Sequence, residues 1–123
     1  MNQEIVWAAG FWDGEGHARA DVRDDGRTRV SLQINQKDRE VLDRFQQAVG
    51  GKVYARPHKS GKDPAIFRWQ TNNWKEVHDI SLMIMPYLSS LKLEQCWKVL
   101  EKYTAYLENY VPKKRGRPVK VAG

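Results

Sequence analysis

Ala8-Ala9-Gly10-Phe11-Trp12-Asp13-Gly14-Glu15-Gly16 is the stretch on which the rest of the chain depends. Before it, Asn2 can cap a helix in which Ile5 and Val6 supply positions to bury. Small residues then gather at Ala8, Ala9, Gly10 and Gly14. A glycine inside a helix costs roughly 1 kcal/mol against alanine, so two of them in one short helix require compensation. Close approach of a second helix supplies it, because small side chains let backbones meet where leucines would hold them apart. Asp13 and Glu15 fall at the helix end, where the macrodipole favours cations. Two acids set against the local field, beside glycines, point to a metal or to a phosphate carrying a cation. Acids facing water in a glycine turn are the alternative that the residues alone leave open.

The 123 residues suffice for one domain with its own hydrophobic core. The lone Cys96 supports neither a disulfide framework nor a zinc cluster. With no secretory leader and no apolar span in the sequence, the expectation is an intracellular, soluble protein without membrane or small-molecule partners. The net charge of +6 is unevenly placed. Lys113, Lys114, Arg115, Arg117 and Lys120 put five positive charges in an acid-free tail, which leaves the preceding body at +1. The division is therefore a domain over residues 1–111 and a basic tail over residues 112–123. A tail of this kind suits nucleic acid.

Moving outward from the motif, the pattern turns to alternation. Ala18, Ala20 and Val22 share one face of a strand, and His17, Arg19, Asp21 and Arg23 the other. After a turn at Asp24-Asp25-Gly26-Arg27, Val30, Leu32 and Ile34 alternate with Arg29, Ser31 and Gln33. A two-residue Asp-Gly turn would set Val22 opposite Arg29, in conflict with the alternation, so the loop must be odd in length or bulged. Asp38 can cap a second helix with Val41, Leu42, Phe45 and Val49 as its stripe, ended by Gly50-Gly51. In a second hairpin Val53 and Ala55 alternate with Lys52, Tyr54 and Arg56. A polar loop over 58–64 leads to Phe67 and Trp69 alternating with Arg68 and Gln70. Asn72 or Asn73 can cap a third helix carrying Trp74, Val77, Ser81 and Ile84, which Pro86 breaks. The last helix sets Leu93, Trp97, Leu100, Thr104, Leu107 and Val111 on one face, and Pro112 ends it.

The order is α-β-β-α-β-β-α-α, an α+β fold with helices on one face of an antiparallel sheet. The opposite face carries Arg19, Arg23, Arg29, Lys52, Arg56 and Arg68 against one acid, Asp21. Interleaved with Ser31, Gln33, Tyr54 and Gln70, these arginines can neutralise phosphates and reach base edges in a major groove. An ordinary solvated sheet face would mix both signs of charge.

Ala9-Gly10-Phe11-Trp12-Asp13-Gly14-Glu15-Gly16 resembles the LAGLIDADG motif of homing endonucleases, in the variant ending Gly-Glu-Gly. It departs at Ala8, where the family has leucine, and at the bulky Trp12; neither change touches the acid. Ile34-Asn35-Gln36-Lys37-Asp38 with Gly50-Gly51-Lys52-Val53-Tyr54, and Pro86-Tyr87-Leu88 with Leu91-Lys92-Leu93-Glu94-Gln95, resemble further segments of the family. The resemblance covers roughly residues 3 to 110 and implies an αββαββα fold with a DNA-binding saddle.

The family cleaves duplex DNA at long target sites, with one acid from each motif helix holding divalent metal over the scissile phosphates. Carried over, the resemblance implies Glu15 as ligand of magnesium or manganese, with the Gly14 carbonyl beside it. Gln36 corresponds to a polar residue that orders metal and water, and Lys92 to the basic residue that supports water activation. One motif copy implies a homodimer through the motif helix, at Ala9, Gly10 and Asp13, on near-palindromic double-stranded DNA. The Arg-Gly-Arg-Pro core at Arg115 and Arg117 resembles an AT-hook. The competing expectation is the same fold used without cleavage, as an RNA maturase or a DNA-binding regulator.

Overall fold

The computed structural model describes residues 2–22, 24, 26–56 and 66–108. Arg23, Arg115 and Arg117, the loop over 58–64 and the basic tail lie outside the described residues. The elements run α1 (Gln3–Glu15), β1 (His17–Val22), β2 (Thr28–Gln36), α2 (Arg39–Val49), β3 (Lys52–Arg56) and β4 (Ile66–Thr71). They continue with α3 (Trp74–Ile84), a 3-10 turn at Met85–Tyr87 and α4 (Ser90–Glu108). This is the order that periodicity predicts, with the 3-10 turn added at Pro86. Asn2, Asp38 and Asn73 each cap a helix by accepting a backbone N–H through the side chain, as expected of such residues.

The four strands form one antiparallel sheet in the order β1-β2-β4-β3. Val22 pairs with Thr28, so residues 23–27 make an odd-length connection, and Asp21 rather than Val22 lies opposite Arg29. Gly26 takes up the required left-handed conformation there, at φ +84°. The register resolves the conflict that a two-residue turn would create and keeps both strands' apolar residues on one side. Val30, Leu32, Ile34 and Trp69 are buried on that side against the helices. Val22 and Ala55 belong to the same side but are exposed.

The centre of the core is aromatic. Trp12, Phe45 and Trp69 are fully buried; Phe45 meets Trp69 edge-on with ring centroids 4.7 Å apart, and Trp12 meets Trp69 edge-on at 6.1 Å. Two glycine sites make room for these rings. A Cβ on Gly51 would lie 2.6 Å from Trp69 Nε1, which donates to the Gly50 carbonyl at 2.7 Å. A Cβ on Gly16 would lie 2.0 Å from Trp12 Cδ2. The bulky residue at the fifth motif position thus has a counterpart in the glycine that closes the motif.

Two helices differ from their predicted faces. On α1, Ile5 packs on the core, but Val6 is exposed one turn before Gly10. On α4 the buried residues are Cys96, Val99 and Leu100, whereas Trp97 is 52% exposed and Thr104 and Leu107 are exposed. Val111 lies outside the described residues. The small Cys96 and Val99 face the rest of the fold, and further along Tyr103 and Tyr106 stack on Trp74 of α3. Burial pushes the Cys96 thiol up to about 11, so it stays protonated and acts as a packing residue.

Candidate functional site

The end of α1 is where chemistry-bearing groups meet. Glu15 is the last residue of the helix and is exposed. The chain then enters β1 through Gly16, whose carbonyl accepts a hydrogen bond from Lys92 Nζ of α4. The resemblance paired Glu15 with Lys92 across most of the sequence, and the fold brings their two segments into contact. Helix ends leave their last carbonyls without intrahelical donors, and the Gly14 carbonyl belongs to that last turn. His17 pairs with Gln33, so Gln36 stands three residues further along β2, about 10 Å by strand rise. Gln36 lies opposite Phe67, on the parity of Ile34, and so falls on the helix side of the sheet at its end.

Asp13 has a partner within its own chain. Its Oδ1 accepts from the Ser89 backbone N–H at 2.9 Å and from Ser89 Oγ at 2.7 Å. The carboxylate therefore sits at the N-terminal end of α4, where the dipole favours an anion, and not against the field of its own helix. The Ser89 amide, then its hydroxyl, with Lys92 nearby, holds the Asp13 carboxyl below the usual range. Ala9 is fully buried in the core of a single chain. Gly10 and Gly14, by contrast, are exposed, and a Cβ on either would meet no heavy atom within 4 Å.

The Asp13 shift fixes a pH dependence. A free aspartate titrates near 3.8, and the folded value is lower, so on acidification the unfolded chain takes up this proton first. The contribution is fully present above the unfolded value and is lost as pH falls through the folded one. Glu4 adds to it in the same direction, because hydrogen bonds from Arg44 hold its carboxyl down. In melting experiments across the window below about pH 4, Asp13→Asn is expected to flatten the slope of stability against pH. An unchanged slope would remove Asp13 from the acid response.

The sheet face opposite the helices forms a ladder of polar rows. Lys52, Gln70, Gln33 and His17 are successive cross-strand partners and make one row across all four strands. Tyr54, Arg68 and Asn35 make the next, and Ser31 stands opposite Arg19. Arg29 and Asp21 face each other toward one hairpin tip, while Arg56 lies toward the other. The strands contain a single acid, Asp21, which pairs with Arg19 at 3.6 Å. Sequence reading did not single out Asn35, although its parity with Gln33 places it on this face. Ser89 also went unnoticed, and nothing local could have flagged it.

Among the described residues no three His, Cys, Asp or Glu side chains converge as a metal-binding group. Of the motif acids, Asp13 accepts from Ser89 through Oδ1 and Glu15 is exposed at the helix end. That donor set fits a magnesium ion, which is commonly held by one or two carboxylates together with substrate phosphates. No helix among the described residues is long and apolar enough to cross a membrane.

Comparison with solved structures places this architecture. The homing endonuclease I-CvuI, in complex with its target in the presence of calcium, superposes with a TM-score of 0.69 at 27% identity. The match covers 87% of this chain and 69% of that one. The LAGLIDADG meganuclease I-AabMI, bound to uncleaved DNA, gives 0.68 at 25% identity over 94% of this chain and 40% of its own. The group I intron-encoded homing endonuclease I-CeuI, complexed with DNA, gives 0.69 at 15% identity, over 88% of this chain and 57% of its own. No family sequence model and no curated protein matches the chain. The fold is that of the LAGLIDADG homing endonucleases. This chain carries one copy of the motif, on α1, within one αββαββα unit.

Proposed function

We propose that the chain is a site-specific double-strand DNA endonuclease of the homing type, acting as a homodimer with magnesium or manganese. The observation that carries the reading is the meeting of Glu15, Gly16 and Lys92 at one edge of a basic sheet face. The sheet supports it in size. From the Val22–Thr28 pair to the Arg56–Ile66 pair it extends about nine strand residues, roughly 30 Å, close to one turn of duplex.

In this reading Glu15 and the Gly14 carbonyl hold the cation against a scissile phosphate, and Gln36 orders solvent beside it. The metal supplies charge stabilisation and a polarised water. Lys92 spends one of its three N–H donors on the Gly16 carbonyl, which leaves two for a phosphate oxygen or the attacking water. Arg19, Arg29, Lys52, Arg56 and Arg68 provide charge toward the backbone, with Ser31, Gln33, Tyr54 and Gln70 among the base-facing groups. Selection of cut sites from a randomised duplex library in magnesium tests the whole. Recovery of one near-palindromic site supports it; binding without any cut site favours the non-cleaving alternative.

The second helix required for a dimer would meet the open face of α1 at Val6, Gly10 and Gly14, with Ala9 behind it in the core. Gly10→Leu is expected to weaken dimerisation by about 100-fold or more, since a central contact would be forced apart. The monomer should be no less stable, because leucine improves helix propensity by up to about 1 kcal/mol over glycine and meets open space. Sedimentation and melting of both proteins separate the two effects. A wild type that stays monomeric both free and on DNA would rule out the pairing.

A further inference from the structure

We infer that Asn35 positions Arg68 as a fixed reader of one guanine in each half-site; this rests on the DNA reading above. The two residues are directly opposite each other on β2 and β4, the central strands of the sheet. Arg68 Nε donates to Asn35 Oδ1 at 2.8 Å. That bond uses the inward edge of the guanidinium and fixes its plane. The two terminal nitrogens, with four N–H donors, remain as a planar fork. Such a fork matches the O6 and N7 acceptors of guanine in the major groove, and no other base edge presents that pair.

The surroundings favour the same orientation. Tyr54 stands opposite Arg68 on its other side, and Arg68 is half-buried where its flanking arginines and lysine are exposed. Partial burial, with Arg56 close by, pushes its pKa down, yet a guanidinium remains a cation at neutral pH. A side chain held by a hydrogen bond to its neighbour and partly buried loses less conformational freedom on binding than a free arginine. Arg19, Arg29 and Arg56 are exposed at or toward the hairpin tips, where phosphate contact needs charge and not a fixed plane. Asn35 is itself exposed, so its replacement removes no core contact.

The test is binding-site selection from a randomised duplex pool in metal-free buffer, using the full chain. Wild type should select a guanine in one column of each half-site, and Arg68→Ala should erase that column. Asn35→Leu should relax the same column by about tenfold, within the range of one bidentate contact, while other columns hold and the melting temperature stays put. Asn35→Asp should restore the guanine, because a carboxylate also accepts from Nε. An Asn35→Leu profile identical to wild type overturns the inference. So does an Arg68→Ala variant that binds all duplexes more weakly by one common factor, which marks a phosphate contact. If wild type selects no sequence at all, the DNA reading itself falls and takes the inference with it.

Discussion

Glu15→Gln is expected to lower DNA cleavage by about 1,000-fold or more, equivalent to about 4 kcal/mol of transition-state stabilisation, with DNA affinity held or raised. Glutamine keeps the shape of the side chain but withdraws the charge that would hold a cation between two phosphates. Asp13 accepts both of its hydrogen bonds from Ser89, through Oδ1, at the start of α4. Without metal, removal of an acid facing DNA lessens repulsion. Stability should hold or rise, since Glu15 is exposed at the dipole's unfavourable end of α1. The measurements are single-turnover cleavage in magnesium and a binding isotherm in its absence. A variant that cuts at the wild-type rate would exclude Glu15 from the reaction.

Gly16→Ala is expected to destabilise the fold by about 3 kcal/mol, at the upper end of the range for overpacking. The new Cβ would fall 2.0 Å from Trp12 Cδ2 and 2.3 Å from Cε3, inside the indole. Trp12 has nowhere to retreat, being fully buried beside Phe45 and Trp69. At about 4–8 °C per kcal/mol, the melting temperature should drop by more than 10 °C. Adding Trp12→Leu should recover part of the loss, so the two changes together cost less than their sum. Gly14→Ala, two residues earlier, meets open space within one chain and should leave the monomer as stable or more so. Matching melting curves for wild type and Gly16→Ala would show that the indole yields.

The elements were legible because each carries its own local signal. Alternation marks β1 and β2, the asparagine and aspartate caps mark the helix starts, and Gly50-Gly51 marks an end. Faces were harder where a helix has more apolar residues than it can bury. On α4 the larger Trp97 and Leu107 drew the predicted stripe, but Cys96 and Val99 are what the rest of the fold admits. Glu15 and Lys92 are candidates through the motif and its companion segments, and the fold brings Lys92 to the Gly16 carbonyl beside Glu15. The contact of Asp13 with Ser89 was not legible, because the two lie 76 positions apart and no local pattern connects them. Ala9 is ambiguous in a related way: a small residue reads equally as contact with another chain or with the core, where its side chain is buried.

The alternation of the sheet also has an evolutionary consequence. Residues such as Gln33, Gln70 and Lys52 point away from the core, so each can mutate without disturbing Leu32, Ile34 or Trp69 behind it. If this face reads DNA as proposed, target preference can therefore drift by single substitutions, each tolerated by the fold. Asn35 and Arg68 are the exception, because a change at one strands the other. Lineages diverging in target should exchange these two together, or pass through an intermediate with relaxed preference at that base pair. The motif helix has no comparable freedom: a core side, an open glycine side and an acidic end leave little of it open to neutral change.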